Sequence, residues 1–131
     1  KICAGCHNVA MGVGNLGAIC SGRNNIAFGR YSGQRTYGGS SNNIFLGLYA
    51  GRGPAGNSTT VECNVVIGHM AGQDLQASNN IYIGDQAARF VTTGSYNIAF
   101  GKYALCCDLT GGTNIAIGPF SLRKTCLTLV S

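Results

Sequence analysis

A five-residue pattern of asparagine, β-branched apolar residue, apolar residue, large apolar residue and glycine returns seven times in this chain, and no other feature restricts its fold so tightly. The copies are Asn8-Val9-Ala10-Met11-Gly12, Asn25-Ile26-Ala27-Phe28-Gly29, Asn43-Ile44-Phe45-Leu46-Gly47, Asn64-Val65-Val66-Ile67-Gly68, Asn80-Ile81-Tyr82-Ile83-Gly84, Asn97-Ile98-Ala99-Phe100-Gly101 and Asn114-Ile115-Ala116-Ile117-Gly118. Successive asparagines lie 17, 18, 21, 16, 17 and 17 residues apart. A fixed period of this kind marks a repeat architecture in which each short unit stacks on the one before. The pattern runs through the whole chain without a linker, so residues 1-131 read as a single repeat domain.

With each asparagine counted as position 0, position 1 is always Val or Ile and position 3 is Met, Phe, Leu or Ile. β-Branched residues suit a pleated strand, and side chains two apart share its face. Positions 1 and 3 are therefore expected to form the inner columns. Position 4 is Gly in every copy, where a strand must turn sharply or let another backbone approach. Position 7 is small in six copies, Ser32, Ala50, Ala71, Ala87, Ala104 and Ser121, with Asn15 the exception. Position 5 has no common character and reads as an outward tip.

Glycine makes up 21 of the 131 residues, charged residues only 10%, and apolar residues 45%. That apolar content is too high for disorder, and the glycine content with its period suits short strands joined by turns. The predicted fold is all-β: a parallel β-solenoid (β-roll or β-helix) of about seven coils with one short strand per coil, each coil touching only its neighbours. At ~4.8 Å per coil the rod would be on the order of 30 Å long.

An asparagine at one phase in every coil can bond both to nearby backbone and to the asparagine above and below, as in stacked amide ladders. Asn8, Asn25, Asn43, Asn64, Asn80, Asn97 and Asn114 are the predicted ladder. Position 2 reads Ala10, Ala27, Phe45, Val66, Tyr82, Ala99 and Ala116, none of them charged. If positions 1 and 3 point inward, this row is an apolar outer face, and strands apolar on both faces are buried on both. These seven residues are accordingly the expected self-association face. Uncapped ends would further invite stacking or strand exchange.

Of seven cysteines, Cys3 and Cys20 share a phase, as does Cys126, so neighbouring coils would bring Cys3 and Cys20 within disulfide range. Cys126 would meet Cys3 of a following subunit in a disulfide-linked filament. Cys3-Ala4-Gly5-Cys6-His7 matches the CxxCH pattern of covalent haem attachment, with Cys3, Cys6 and His7 as the cofactor-binding residues. This makes a haem-bearing electron-transfer filament an alternative. A zinc site on the same residues would need a fourth ligand.

The acids Glu62, Asp74, Asp85 and Asp108 sit at unrelated phases, and no nucleophile has a base at a fitting spacing. No catalytic residue is expected, and the chain reads as a non-enzyme. The net charge of +5 comes from scattered basic residues rather than a nucleic-acid patch. No stretch approaches the length of a membrane span. The chain begins with Lys1 and enters its first repeat at once, which suggests a processed chain or a segment of a longer one. Regular Thr columns, the mark of an ice-binding array, are absent from the sequence.

The unit Asn114-Ile115-Ala116-Ile117-Gly118 through Ser121, and its relative from Asn97 to Ala104, resemble the head repeats of trimeric autotransporter adhesins and similar repeats in phage and giant-virus fibre proteins. The coil here is longer and its turns less regular than in adhesin heads, which brings the likeness nearer to the viral-fibre type. The resemblance implies parallel β-rolls, usually three chains side by side, acting as stalks or receptor-binding rods. The expected function is thus a structural fibre or attachment protein, extracellular or on a virion surface. Its partners would be further copies of itself and a cell-surface receptor or glycan, and a self-stacking filament subunit is the alternative within that class.

Overall fold

The computed structural model describes residues 5–56, 59–91, 93–107 and 110–123. Seven three-residue strands, β1 (Val9–Met11), β2 (Ile26–Phe28), β3 (Ile44–Leu46), β4 (Val65–Ile67), β5 (Ile81–Ile83), β6 (Ile98–Phe100) and β7 (Ile115–Ile117), form one sheet. Their spatial order is their chain order, and every pair is parallel. Like positions face one another throughout, as in Ile26 against Ile44 and Ile44 against Val65. This is the predicted β-solenoid, with no helix among the described residues.

The backbone closes each coil by a repeated sequence of left-handed residues. Position −1, just before the asparagine, has φ between 56° and 62° in all seven coils, whether it is His7, Asn24, Asn42, Cys63, Asn79, Tyr96 or Thr113. Position 6 adopts the same region at Tyr31, Tyr49, Met70, Gln86, Tyr103 and Phe120. At the position-4 glycines φ lies between 107° and 135°. A Cβ on Gly47 would stand 2.6 Å from the carbonyl oxygen of Gly68 in the next coil. Coils can approach this closely only because neither glycine carries a side chain.

The strand faces are the reverse of the expectation for positions 1, 2 and 3. Ala27, Phe45, Val66, Tyr82 and Ala99 at position 2 are fully buried inside the coil and Ala116 nearly so, while Ala10 in the first coil is exposed. Val9, Ile81 and Ile115 at position 1, and Met11, Phe28, Phe100 and Ile117 at position 3, are exposed. The row expected to be the self-association face is therefore the core, and the expected inner columns lie outside. Parity supplies the reason: the buried asparagines at position 0 share a face with position 2, since strand side chains alternate.

A coil this short has a narrow interior, and its residues fit one another by size. Ala99 at position 2 is matched in its own coil by Leu105 at position 8, both buried, and the same residue types recur in the outermost coils as Ala10 with Leu16 and Ala116 with Leu122, where Ala10 and Leu122 are exposed. Where position 2 is Phe45, position 8 is Gly51, and a Cβ there would collide with the Phe45 ring. Gly33 in the preceding coil abuts the same ring, as Gly72 does that of Tyr82. Ile19, Leu75, Val91 and Val61 complete the buried cluster.

Candidate functional site

The asparagines bind the coils together from within. Asn25, Asn43, Asn64, Asn80 and Asn97 are fully buried. The Oδ1 of Asn25 accepts from the main-chain N–H of Asn43 at 3.1 Å and from its Nδ2 at 3.0 Å. Asn43 receives the same pair from Asn64, and Asn97 from Asn114. The Oδ1 of Asn8 accepts both from Asn25, and main-chain N–H donations continue from Asn80 to Asn64 and from Asn97 to Asn80. The other Nδ2 hydrogen goes to the carbonyl three residues before the next asparagine, at Ser40, Val61 and Ala77. A buried amide with all its groups satisfied adds specificity as well as stability, since any slip in register would leave several unpaired.

Two outward surfaces remain for function. The first is the outer face of the sheet, two parallel files of Val, Ile, Leu, Met and Phe at positions 1 and 3 of β1 to β7. Exposure along it is highest in the first and last strands, 64% at Met11 and 70% at Ile117, while Ile44, Leu46, Val65 and Ile67 in the middle are half-buried, and the whole row is apolar. Contiguous apolar surface of this kind is rare on a protein that works alone.

The second surface is the corner that follows each strand, at positions 5, 6 and 9. The rings of Tyr31 and Tyr49 stack with centroids 5.4 Å apart, and those of Tyr103 and Phe120 at 5.5 Å. Cations lie on these rings: Arg30 over Tyr31, Arg52 over Tyr49, Lys102 over Tyr103, and Arg123 over both Tyr103 and Phe120. Arg89 donates from Nε to Gln73 and from Nη1 to Gln86, whose Nε2 in turn donates to the Tyr103 hydroxyl. Asp85 is hydrogen-bonded by His69 at 2.9 Å and lies 3.5 Å from the Lys102 ammonium. The His69 bond, and next the nearby charge of Lys102, hold the Asp85 carboxyl below its usual range.

The scattered basic residues of the sequence are thus partly gathered in space. The signal was present at position 6, which reads Gly14, Tyr31, Tyr49, Met70, Gln86, Tyr103 and Phe120 once the coils are aligned. Arginines fall at positions 5 and 9 around it.

Four of the described cysteines stand apart from one another as free thiols, while Cys107 is disulfide-bonded. Cys6, Cys20 and Cys63 are exposed free thiols and Cys106 is a buried one, its pKa raised by burial. Cys20 therefore makes no intrachain bond to Cys3, which corrects the expected pairing. Cys3 and Cys126 lie outside the described residues. Of the CxxCH residues, Cys6 and His7 are exposed at the first coil's corner, with His7 in the left-handed region at φ 58°. Among the described residues no group of three His, Cys, Asp or Glu side chains is placed to hold a metal ion. No described helix is long and apolar enough to cross a membrane.

No family model, curated protein or solved structure matches the chain.

Proposed function

We propose that this protein is a non-enzymatic structural rod whose copies pack side by side through the outer files of the sheet, building a fibre or attachment element outside the cell or on a virion. The observation that carries this reading is the row of outward apolar residues, repeated coil after coil in register. A second copy of the chain is the natural occupant. It presents the same files at the same axial spacing, so one registration buries side chains along the full length of both rods. Three chains around a common axis is the arrangement that the family resemblance implies. The corner turns then face outward and supply the attachment surface.

Sedimentation of the full chain tests the association. The wild type should run as a discrete oligomer, and Ile44→Lys with Ile83→Lys should run as a monomer with an unchanged β-type circular dichroism spectrum. Those two side chains lie outside the coil, so a charge there leaves the interior intact while opposing a dry contact. A wild type that remains monomeric at high micromolar concentration would refute side-by-side assembly. Negative-stain images separate a short bundle from an endless end-to-end filament.

A further inference from the structure

We infer that the corner stripe following the strands is a binding site for a linear acidic polysaccharide, one bearing sulfate or carboxylate groups, laid along the rod axis. This deepens the reading of the corner turns as the attachment surface and rests on it.

Five cations occupy the stripe, Arg30, Arg52, Arg89, Lys102 and Arg123, and they come from five of the seven coils. Among the described residues Asp85 lies in the stripe, already engaged by His69 and Lys102, and Asp74 stands one position beyond it with its main-chain N–H bonded to the Arg89 carbonyl. Parallel coils repeat at ~4.8 Å, so these charges are spread over roughly 24 Å of rod. A compact anion could meet one or two of them. A polymer carrying an anionic group at regular intervals can meet them all, each contact raising the effective concentration for the next.

The state of the guanidinium groups supports recognition rather than diffuse attraction. The guanidinium carbons of Arg52 and Arg123 lie over ring faces at 4.8 and 5.5 Å from the ring centroids, and Arg89 is held by two glutamine oxygens at 3.0 and 2.7 Å. Groups fixed in this way lose little freedom on binding and present their remaining N–H donors to carboxylate or sulfate oxygens. The Nε of Arg52 is buried without a hydrogen-bond partner. Tyrosine hydroxyls and glutamine amides between the cations match the hydroxyls of a sugar chain.

The same geometry disfavours single-stranded nucleic acid. Binding of that kind relies on open aromatic faces on which bases stack. Here Tyr31 is covered on one side by the backbone at Gly14, where a Cβ would stand 2.6 Å from the ring, and on the other by Tyr49.

The test is calorimetric titration of the full chain with heparin, which is sulfated, and with hyaluronate, which carries carboxylates alone. At least one should bind and be released by raised salt. The variant Arg52→Gln, Arg89→Gln, Arg123→Gln should bind roughly tenfold or more weakly, the scale expected for lost charge-assisted bonds. Its circular dichroism and sedimentation should match wild type. Arg23→Gln, beyond the opposite end of the strand, should bind as wild type does. Failure to bind either polymer overturns the inference, as does equal weakening by Arg23→Gln or tighter binding of single-stranded DNA of comparable length. Loss of assembly in the Ile44→Lys, Ile83→Lys chain with polymer binding retained separates this site from the association face.

Discussion

The Oδ1 of Asn43 accepts two hydrogen bonds from Asn64, one from the main-chain N–H at 3.1 Å and one from Nδ2 at 3.0 Å. The two Nδ2 hydrogens of Asn43 are shared among the Asn25 Oδ1 and the carbonyls of Ser41 and Val61. One side chain therefore ties three coils together at a fully buried site. Asn43→Ala would leave several of these groups unpaired, each costing about 1–3 kcal/mol, for a loss on the order of 3–5 kcal/mol in all. Asn114, half-buried in the seventh coil, bonds among the described residues to Asn97 in the coil before it and to the Gly112 carbonyl of its own turn, and its replacement by Ala should cost about 1 kcal/mol. Urea midpoints compared at one protein concentration measure the difference, since assembly would otherwise shift them. Equal losses at the two sites would deny that the ladder is the internal tie.

The glycine column makes a second contrast. Gly47 has φ 130°, and a Cβ there would lie 2.6 Å from the Gly68 carbonyl oxygen and 2.8 Å from its carbon. Backbone on the neighbouring coil cannot move aside without breaking the bond from the Gly47 N–H to the Phe28 carbonyl or the one from Gly68 to Leu46. Gly56, in the long turn of the 21-residue unit, has φ 82° and no atom within 4 Å of an added Cβ. Gly56→Ala should therefore cost only the left-handed strain of about 1 kcal/mol, and Gly47→Ala about 3 kcal/mol or more. Thermal melts of the two variants side by side decide it.

Thr113 offers a gain rather than a loss. It holds φ 62° at position −1, where β-branched side chains are strained and asparagine is well tolerated. Asn24, Asn42 and Asn79 occupy that position in other coils, and the Asn24 Nδ2 donates to the Asn42 Oδ1 at 3.1 Å. Thr113→Asn should stabilise the protein by about 1 kcal/mol and raise its melting temperature by a few degrees. No rise, or a fall, would show that the threonine is held there by a contact worth more than its strain.

The coil stack was legible because period, asparagine, glycine and strand class coincide in every copy. The facing of the strand is not legible from residue size: Ile26 and Phe28 are larger than the Ala27 between them, yet it is Ala27 that lies inside. A coil of this perimeter has no room for two such files. The correct signal lay in pairs rather than columns. Ala99 goes with Leu105, whereas Phe45 goes with Gly51, so in these coils positions 2 and 8 share the interior between them; where both are small, at Ala27 and Gly33, the Phe45 ring of the next coil leans over Gly33. The corner stripe is hidden in the sequence for a different reason. Arg30 at position 5 and Arg52 at position 9 are unrelated in the repeat, and only the turn geometry brings each onto a position-6 ring.

The shared volume can be tested by moving it. Phe45 is fully buried, and Phe45→Ala should cost about 3–5 kcal/mol through the cavity left behind. Gly51→Leu alone should be worse than neutral, because its Cβ would collide with the Phe45 ring. Together the two changes write into this coil the Ala99 and Leu105 arrangement, in which Leu105 already adopts φ 53°, close to the φ 60° of Gly51. The leucine would grow into the space that the ring vacates, and the adjacent Gly33 would face aliphatic rather than aromatic carbon. The double variant should therefore be clearly more stable than the sum of the single losses predicts, by about 2 kcal/mol, within the range seen for residues in contact. A double-mutant cycle from urea unfolding gives that coupling directly. A coupling near zero would mean that the two positions do not share one space, and the packing rule drawn from Ala99 and Leu105 would not describe the core.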